Sequence, residues 1–177
     1  MKKEVRKAVF VIVFSSITAM CLGLYGCAEM GGYCNEPLHS EDVDSVYVEM
    51  FDNRSFRRGI EYELTDALSK RIEAETPYKV ISNRDWADTV ISGQIEQSSE
   101  SALSGERETG RALEKDVQLR VVVNWKNLKT GELMINNQSV RASASFSEWQ
   151  NQGFSYASTL AANRLAQRII ELMEKEW

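Results

Sequence analysis

From Val117 to Trp125 every second side chain is apolar: Val117, Leu119, Val121, Val123 and Trp125 fall on one side, with Gln118, Arg120, Val122 and Asn124 on the other. A period of two held over such a run predicts a strand with one buried face. Such a strand needs sheet neighbours and an apolar layer laid over it. Ser45 to Phe51 shows the same period, with Val46, Val48 and Met50 alternating with Tyr47 and Glu49. Val90 and Ile91 open another strand over Thr89 to Gln97, in which Gly93 is a candidate bulge. The segment Asn127-Leu128-Lys129-Thr130-Gly131-Glu132 predicts a hairpin turn, and Gly131 can take positive φ there. The return strand covers Leu133 to Phe146, with Val140, Ala142, Ala144 and Phe146 inward and Asn137, Ser139 and Arg141 outward.

Two segments carry the helical period instead. From Phe56 to about Ala74, Ile60, Leu64, Ala67, Leu68 and Ile72 form a stripe opposite Arg57, Glu61, Asp66, Lys70 and Glu73. Asp52-Asn53-Arg54-Ser55 offers the turn and cap before it, and Pro77 stops it. Tyr156 to Trp177 repeats the pattern with Leu160, Ala161, Leu165, Ile169, Leu172 and Met173. Tyr78 to Ile81 is a short apolar extended piece. Ser98 to Lys115, rich in serine and mixed charge, reads as a long loop between strands.

The order strand, helix, strand, strand, strand, helix predicts an α+β two-layer sandwich. Its sheet has four mostly antiparallel strands with two helices on one face, β-α-β-β-β-α. The uncovered face and the strand edges are then the expected binding surfaces.

Upstream of the domain, Met1-Lys-Lys-Glu-Val-Arg-Lys7 precedes an apolar run from Ala8, and Leu24-Tyr25-Gly26-Cys27 follows. A cationic start, a short greasy segment and small residues at a cut site make an export leader. Ser15, Ser16, Thr18, Gly23 and Gly26 dilute its second half, which argues against a spanning helix. Leu24-Tyr25-Gly26-Cys27 resembles a bacterial lipobox, which implies a lipid on the Cys27 thiol and cleavage before it. Position 28 is Ala, not Asp, and in bacteria that sort by this position the resemblance implies onward export to the outer membrane. The expected organisation is a signal peptide over residues 1–26, a lipidated tether over 27–44 and one domain over 45–177.

Cleavage removes Lys2, Lys3, Arg6, Lys7 and Glu4, which turns 21 basic and 26 acidic side chains into 17 and 25, a net charge of −8. That balance excludes broad nucleic-acid binding, which needs a basic footprint. Cys34 has no remaining partner for an intrachain disulfide, and Cys34 with His39 lacks the clustered spacing of a zinc site. The single histidine lies in the tether, so histidine-assisted nucleophilic catalysis has no base inside the domain. Glu61 with Asp66, Asp85 with Asp88, and Glu106 with Glu108 read as solvated charges rather than catalytic pairs. The chain is therefore expected not to be an enzyme and to need no cofactor or metal.

Several segments together resemble the LptE family of lipopolysaccharide-assembly lipoproteins. They are the lipobox, Val46 to Phe56, Gly59 to Leu68, Ala87 to Ile95, and Thr130-Gly131-Glu132 in the hairpin. The resemblance implies an outer-membrane lipoprotein that plugs an LptD-like β-barrel, assists lipopolysaccharide transport and binds the glycolipid. It implies that basic side chains in the loop after the second strand and in the loop before the last helix meet the anionic head. Arg107 and Arg111 lie in the first of these loops; the second, Ser147 to Ser155, has no Lys or Arg, which turns attention to Lys126 and Lys129. Trp149 in that second loop is the candidate for partner contact, whereas Trp125 continues the core face of its strand. Phe51-Asp52-Asn53-Arg54-Ser55 after a strand also resembles the opening of LpoB-like activators of cell-wall synthases and of CsgG-like secretion lipoproteins. The short tether here favours the first family.

The leader makes a direct prediction. Cys27→Ala should abolish incorporation of labelled palmitate and leave the leader uncut or the product unanchored; unchanged lipid labelling refutes the assignment.

Overall fold

The computed structural model describes residues 38–40, 42–106 and 112–174. Cys27, Arg107, Arg111 and Trp177 lie outside the described residues, as does the leader. The elements run β1 (Ser45–Val48), β2 (Asp52–Asn53), α1 (Ile60–Glu75), β3 (Lys79–Val80), β4 (Thr89–Gly105), β5 (Ala112–Asn127), β6 (Leu133–Phe146) and α2 (Phe154–Met173). Short 3₁₀ turns occupy Arg84–Trp86 and Glu148–Gln150. Among the described residues no helix is long and apolar enough to cross a membrane.

The fold is α+β with two helices, but the sheet has six strands rather than four and is mixed. Its order is β3-β1-β4-β5-β6, with β2 also paired to β4. β1 lies parallel to both β3 and β4, and β2 lies parallel to β4. The reason is the connection between them. A strand that reaches its neighbour through a helix comes back in the same direction, whereas a tight turn reverses it. α1 is such a crossover, so only β4-β5-β6 form the antiparallel meander.

The helices cover one face of this sheet. Ile60, Leu64, Leu68 and Ile72 of α1 and Ala161, Leu165 and Ile169 of α2 are buried against Val117, Leu119, Val121, Val123 and Trp125. Burying each large aliphatic side chain contributes about 1.5–3 kcal/mol. The expected inner face of β6 is also correct, since Val140, Ala142, Ala144 and Phe146 are all buried. Ala157, Ala162, Ala166 and Ile170 widen the buried stripe of α2, while Leu172 is partly exposed.

Segment boundaries moved where local chemistry overrode the pattern. α1 begins at Ile60, not Phe56, because Gly59 sits at φ 100° and Phe56 is fully exposed in the loop before it. Asn53 organises that loop by accepting from Ser55 N (2.8 Å) and donating to Arg57 O (2.7 Å) and Glu61 Oε2 (2.5 Å). The same Glu61 oxygen accepts from Gly59 N at 3.0 Å, so a carboxylate inside the helix does the capping.

Ser98 to Lys115 is not a long loop. β4 runs on to Gly105 and β5 starts at Ala112, and they stay paired down to Gly105↔Ala112 with register shifts after Ala102 and after Ser104. β6 joins the ladder only from Lys115, so beyond that point β4 and β5 form a two-stranded arm. With Ser101, Ala102, Leu103 and Ser104 exposed, this part has no buried face to impose a hydrophobic period.

Phe51 and Gly93 lock the parallel half of the sheet. Val48 pairs with Ile91 and Asp52 with Gln94, so three residues on one strand face two on the other. This extra residue shifts the alternation: Met50 is half exposed and Phe51 turns inward. The Phe51 ring fills the space a side chain at Gly93 would need, since a Cβ there would stand 2.5 Å from a ring carbon and 2.5 Å from Val122 O. The irregularities in the β4–β5 ladder fall between Ile95 and Gln97, between Ala102 and Ser104 and between Ser104 and Gly105, not at Gly93. Gly93→Ala should therefore reduce stability by about 1–3 kcal/mol through overpacking. Urea unfolding would measure it; a midpoint equal to that of the unaltered chain contradicts the packing described.

Candidate functional site

Asp88, expected as a solvated charge, is instead buried where three elements meet. Its Oδ2 accepts from Asp44 N (3.1 Å), Ser45 N (2.9 Å) and Ser45 Oγ (2.8 Å). Ser45 Oγ also lies 3.0 Å from Asp88 N and accepts from it. Leu128 N donates to Asp88 O at 2.8 Å, and Lys129 Nζ reaches Oδ1 at 2.5 Å. The carboxylate thus joins the starts of β1 and β4 to the β5–β6 turn. Lys129, followed by Ser45, holds its pKa down from 3.8 to about 2, against the opposing effect of burial. Reciprocally, Asp88 raises the Lys129 pKa. The sequence signal for this latch was Ala87-Asp88-Thr89, which an isolated charge pattern could not distinguish from a wet surface.

Of the four cations proposed from sequence, Lys126 and Lys129 fall among the described residues and Arg107 and Arg111 do not. Lys126 is exposed near the end of β5, paired with Val90 and Leu133. Residues 107–111, which include Arg107 and Arg111, lie between β4 and β5 in sequence and outside the described residues. At about 3.3 Å per residue, the run from Ala112 to Lys126 spans roughly 45 Å. Lys129 lies near Lys126 but is paired with Asp88.

The base of the β4–β5 arm is cross-braced by charge. Arg57 pairs with Glu100 (3.2 Å), which pairs with Lys115 (3.1 Å), which pairs with Glu148 (2.8 Å). Arg57 also stacks 4.0 Å over the Phe154 ring at the start of α2. Trp149 follows Glu148 in the 3₁₀ turn, 64% exposed. It therefore stands at the arm end of the molecule, away from Lys126 and Lys129.

The uncovered sheet face is polar. Glu49, Asp52, Arg54, Ser92, Gln94, Asn124 and Asn137, with Met50 and Val122, line a shallow hollow of about 480 Å³ on it. Opposite Asn124 the two residues Asn136 and Asn137 form a bulge, in which Asn137 takes φ 50° and donates its N–H to Asn124 Oδ1 at 2.7 Å. Farther along the same edge strand, Arg164 and Arg168 of α2 donate to the Ser143 and Arg141 carbonyl oxygens. Bulge and arginines together blunt the β6 edge, so the face rather than the edge is available for contact. Among the described residues no cluster of metal-ligating side chains occurs.

His39 is not in a free tether. Its ring meets Tyr78 edge-on at 5.6 Å, Ser40 N donates to the Tyr78 hydroxyl at 2.9 Å, and Val43 is in the core. Tyr78 in turn lies 5.9 Å from Trp125, and burial raises its phenol pKa.

The family described as LptE, Lipopolysaccharide-assembly, matches residues 43–175. No curated protein matches. Among solved structures, a hypothetical protein from Chlamydia trachomatis is 13% identical, with a TM-score of 0.53 over 73% of this chain and 94% of that one. An uncharacterized lipoprotein B from Nitrosomonas europaea is 18% identical, with a TM-score of 0.51 over 81% and 89%. PelC from Paraburkholderia phytofirmans is 15% identical, with a TM-score of 0.50 over 78% and 94%. At these identities the structures are similar in fold alone.

The latch predicts a pH dependence. Because the folded-state pKa of Asp88 lies below its unfolded value, the stabilisation is complete well above 3.8 and is lost as pH falls through about 2. Asp88→Asn should cost about 1.5–3 kcal/mol at neutral pH and make the acid limb shallower in that window. Urea unfolding of both proteins across that range checks it; identical acid limbs contradict the assignment.

Proposed function

This chain belongs to the LptE family of lipopolysaccharide assembly, and from that membership we propose that Cys27 anchors it to the outer membrane while its domain plugs an LptD-like β-barrel and assists lipopolysaccharide delivery. The observation that carries the reading is the extent of the family match, which runs from Val43 in the core to the residues just beyond α2. The family's work is assembly, not catalysis.

The geometry suits such a plug. The lumen of a membrane barrel is polar, and the uncovered sheet face here offers amides, hydroxyls and charges rather than an apolar patch. The blunted β6 edge disfavours pairing of that strand with barrel strands. Arg107 and Arg111, between the β4 and β5 ends, are our assignment for the phosphates of the glycolipid, since guanidinium groups recognise phosphate through paired hydrogen bonds. Lys126 is a separate contact at the far end, and Lys129 can join it only by leaving Asp88. Trp149, beside the arm, is assigned to the barrel contact.

Affinity purification of the tagged protein from membranes should retain an outer-membrane barrel, and Trp149→Ala should weaken that retention. Retention of a cell-wall synthase instead would overturn the reading. Arg107→Ala combined with Arg111→Ala should lower binding of labelled lipopolysaccharide; unchanged binding removes both residues from the site.

A further inference from the structure

Trp86 is 80% exposed, far more than an indole of that size is normally left in water. It closes the 3₁₀ turn Arg84–Trp86, and Asp88, two residues on, fastens Ser45 at the start of β1. The chain therefore joins the domain at the end of the sheet that carries Trp86. Residues 38–40 are held there too, through Ser40 and His39 on Tyr78. Ten residues connect Cys27 to Pro37, and a fully extended segment of that length spans at most about 35 Å. If Cys27 carries lipid, that length is the farthest this end can lie from the lipidated residue.

The surroundings of Trp86 match a headgroup layer. Trp86 and Leu128 border a shallow hollow of about 400 Å³ together with Arg84 and Lys129. Nearby Leu133 is half exposed. Arg84 pairs with Glu49 at 3.5 Å and Lys129 with Asp88, so both cations reach this end already partnered. Indole rings favour this layer because an apolar body and one N–H donor are both satisfied there.

We propose that Trp86, with the Arg84 and Lys129 side chains beside it, rests in the phospholipid headgroup layer of the membrane to which the chain is anchored. The proposal fixes which end of the domain faces lipid; it rests on the anchoring reading but is tested without it. The chain from Cys27 to Trp177, carrying an N-terminal hexahistidine tag, is held on vesicles of phosphatidylethanolamine and phosphatidylglycerol that contain a nickel-chelating lipid and brominated acyl chains. Tryptophan emission should be quenched, and Trp86→Phe should remove most of that quenching while leaving the thermal melt unchanged. Quenching that persists in Trp86→Phe, or its absence in the unaltered chain, overturns the proposal. A photo-crosslinking side chain at position 86 in cells should label lipid; capture of a protein in place of lipid also overturns it. Failure of the anchor is read separately, from palmitate labelling of Cys27.

Discussion

The domain depends on β1 lying parallel to β4, an arrangement no turn can enforce because α1 separates the two strands. Asp88 supplies the fixed point. Its carboxylate takes the otherwise unpaired N–H groups of Asp44 and Ser45 at the edge of the ladder, and it binds Lys129 across the top of the β5–β6 turn. A charge with so many donors is stable where an unpaired one would not be. Beyond that fixed point the ladder continues to Ile91, and the extra residue before β2 turns Phe51 inward onto the bare backbone of Gly93. Latch and ring thus define the two ends of one short parallel seam. α1 and the adjoining face of α2 then cover it.

What the sequence made legible follows from where burial is one-sided. Val117 to Trp125, Val140 to Phe146 and the α1 stripe were readable because each presents one face to the core and one to water. The serine-rich stretch was not, since β4 has no buried residue after Ile95 and so leaves no period to detect. β2 and β3, two residues each, are too short to show any pattern and exist only because β1 and β4 offer them a ladder. The mixed direction was inferable in principle from the helix between the strands, but hairpin-like spacing elsewhere in the chain pointed the other way. For the site, residue type was visible and grouping was not: Lys126, Lys129 and Trp149 are all near the surface, yet the length of β5 puts them at different ends. Asp88 escaped notice because its role comes from Ser45, forty-three residues earlier.

The two ends of the sheet differ in a way that bears on how such a domain works. At one end, the Arg57–Glu100–Lys115–Glu148 chain stiffens the base of a projecting ribbon. Each exposed pair is individually weak, but linked in series they tie the arm to the α1 loop and to the turn before α2. At the other end, the Asp88 latch and the aromatic contacts of His39, Tyr78 and Trp125 secure the incoming chain. The entry of the chain into the domain and the projecting ribbon are therefore at opposite ends of β5.

The free face is polar and the β6 edge is blunted. A domain with one uncovered sheet face must avoid two errors: collapse of an apolar face onto any hydrophobic surface, and extension of its sheet by a foreign strand. Ser92, Gln94, Asn124 and Asn137 remove the first risk on the uncovered face. Arg164 and Arg168 on the Ser143 and Arg141 carbonyls, with the Asn136–Asn137 bulge beside them, remove the second along β6. β2 and β3 expose too few residues to template a strand. A partner of the uncovered face must then recognise it through side-chain hydrogen bonds and shape rather than through apolar burial.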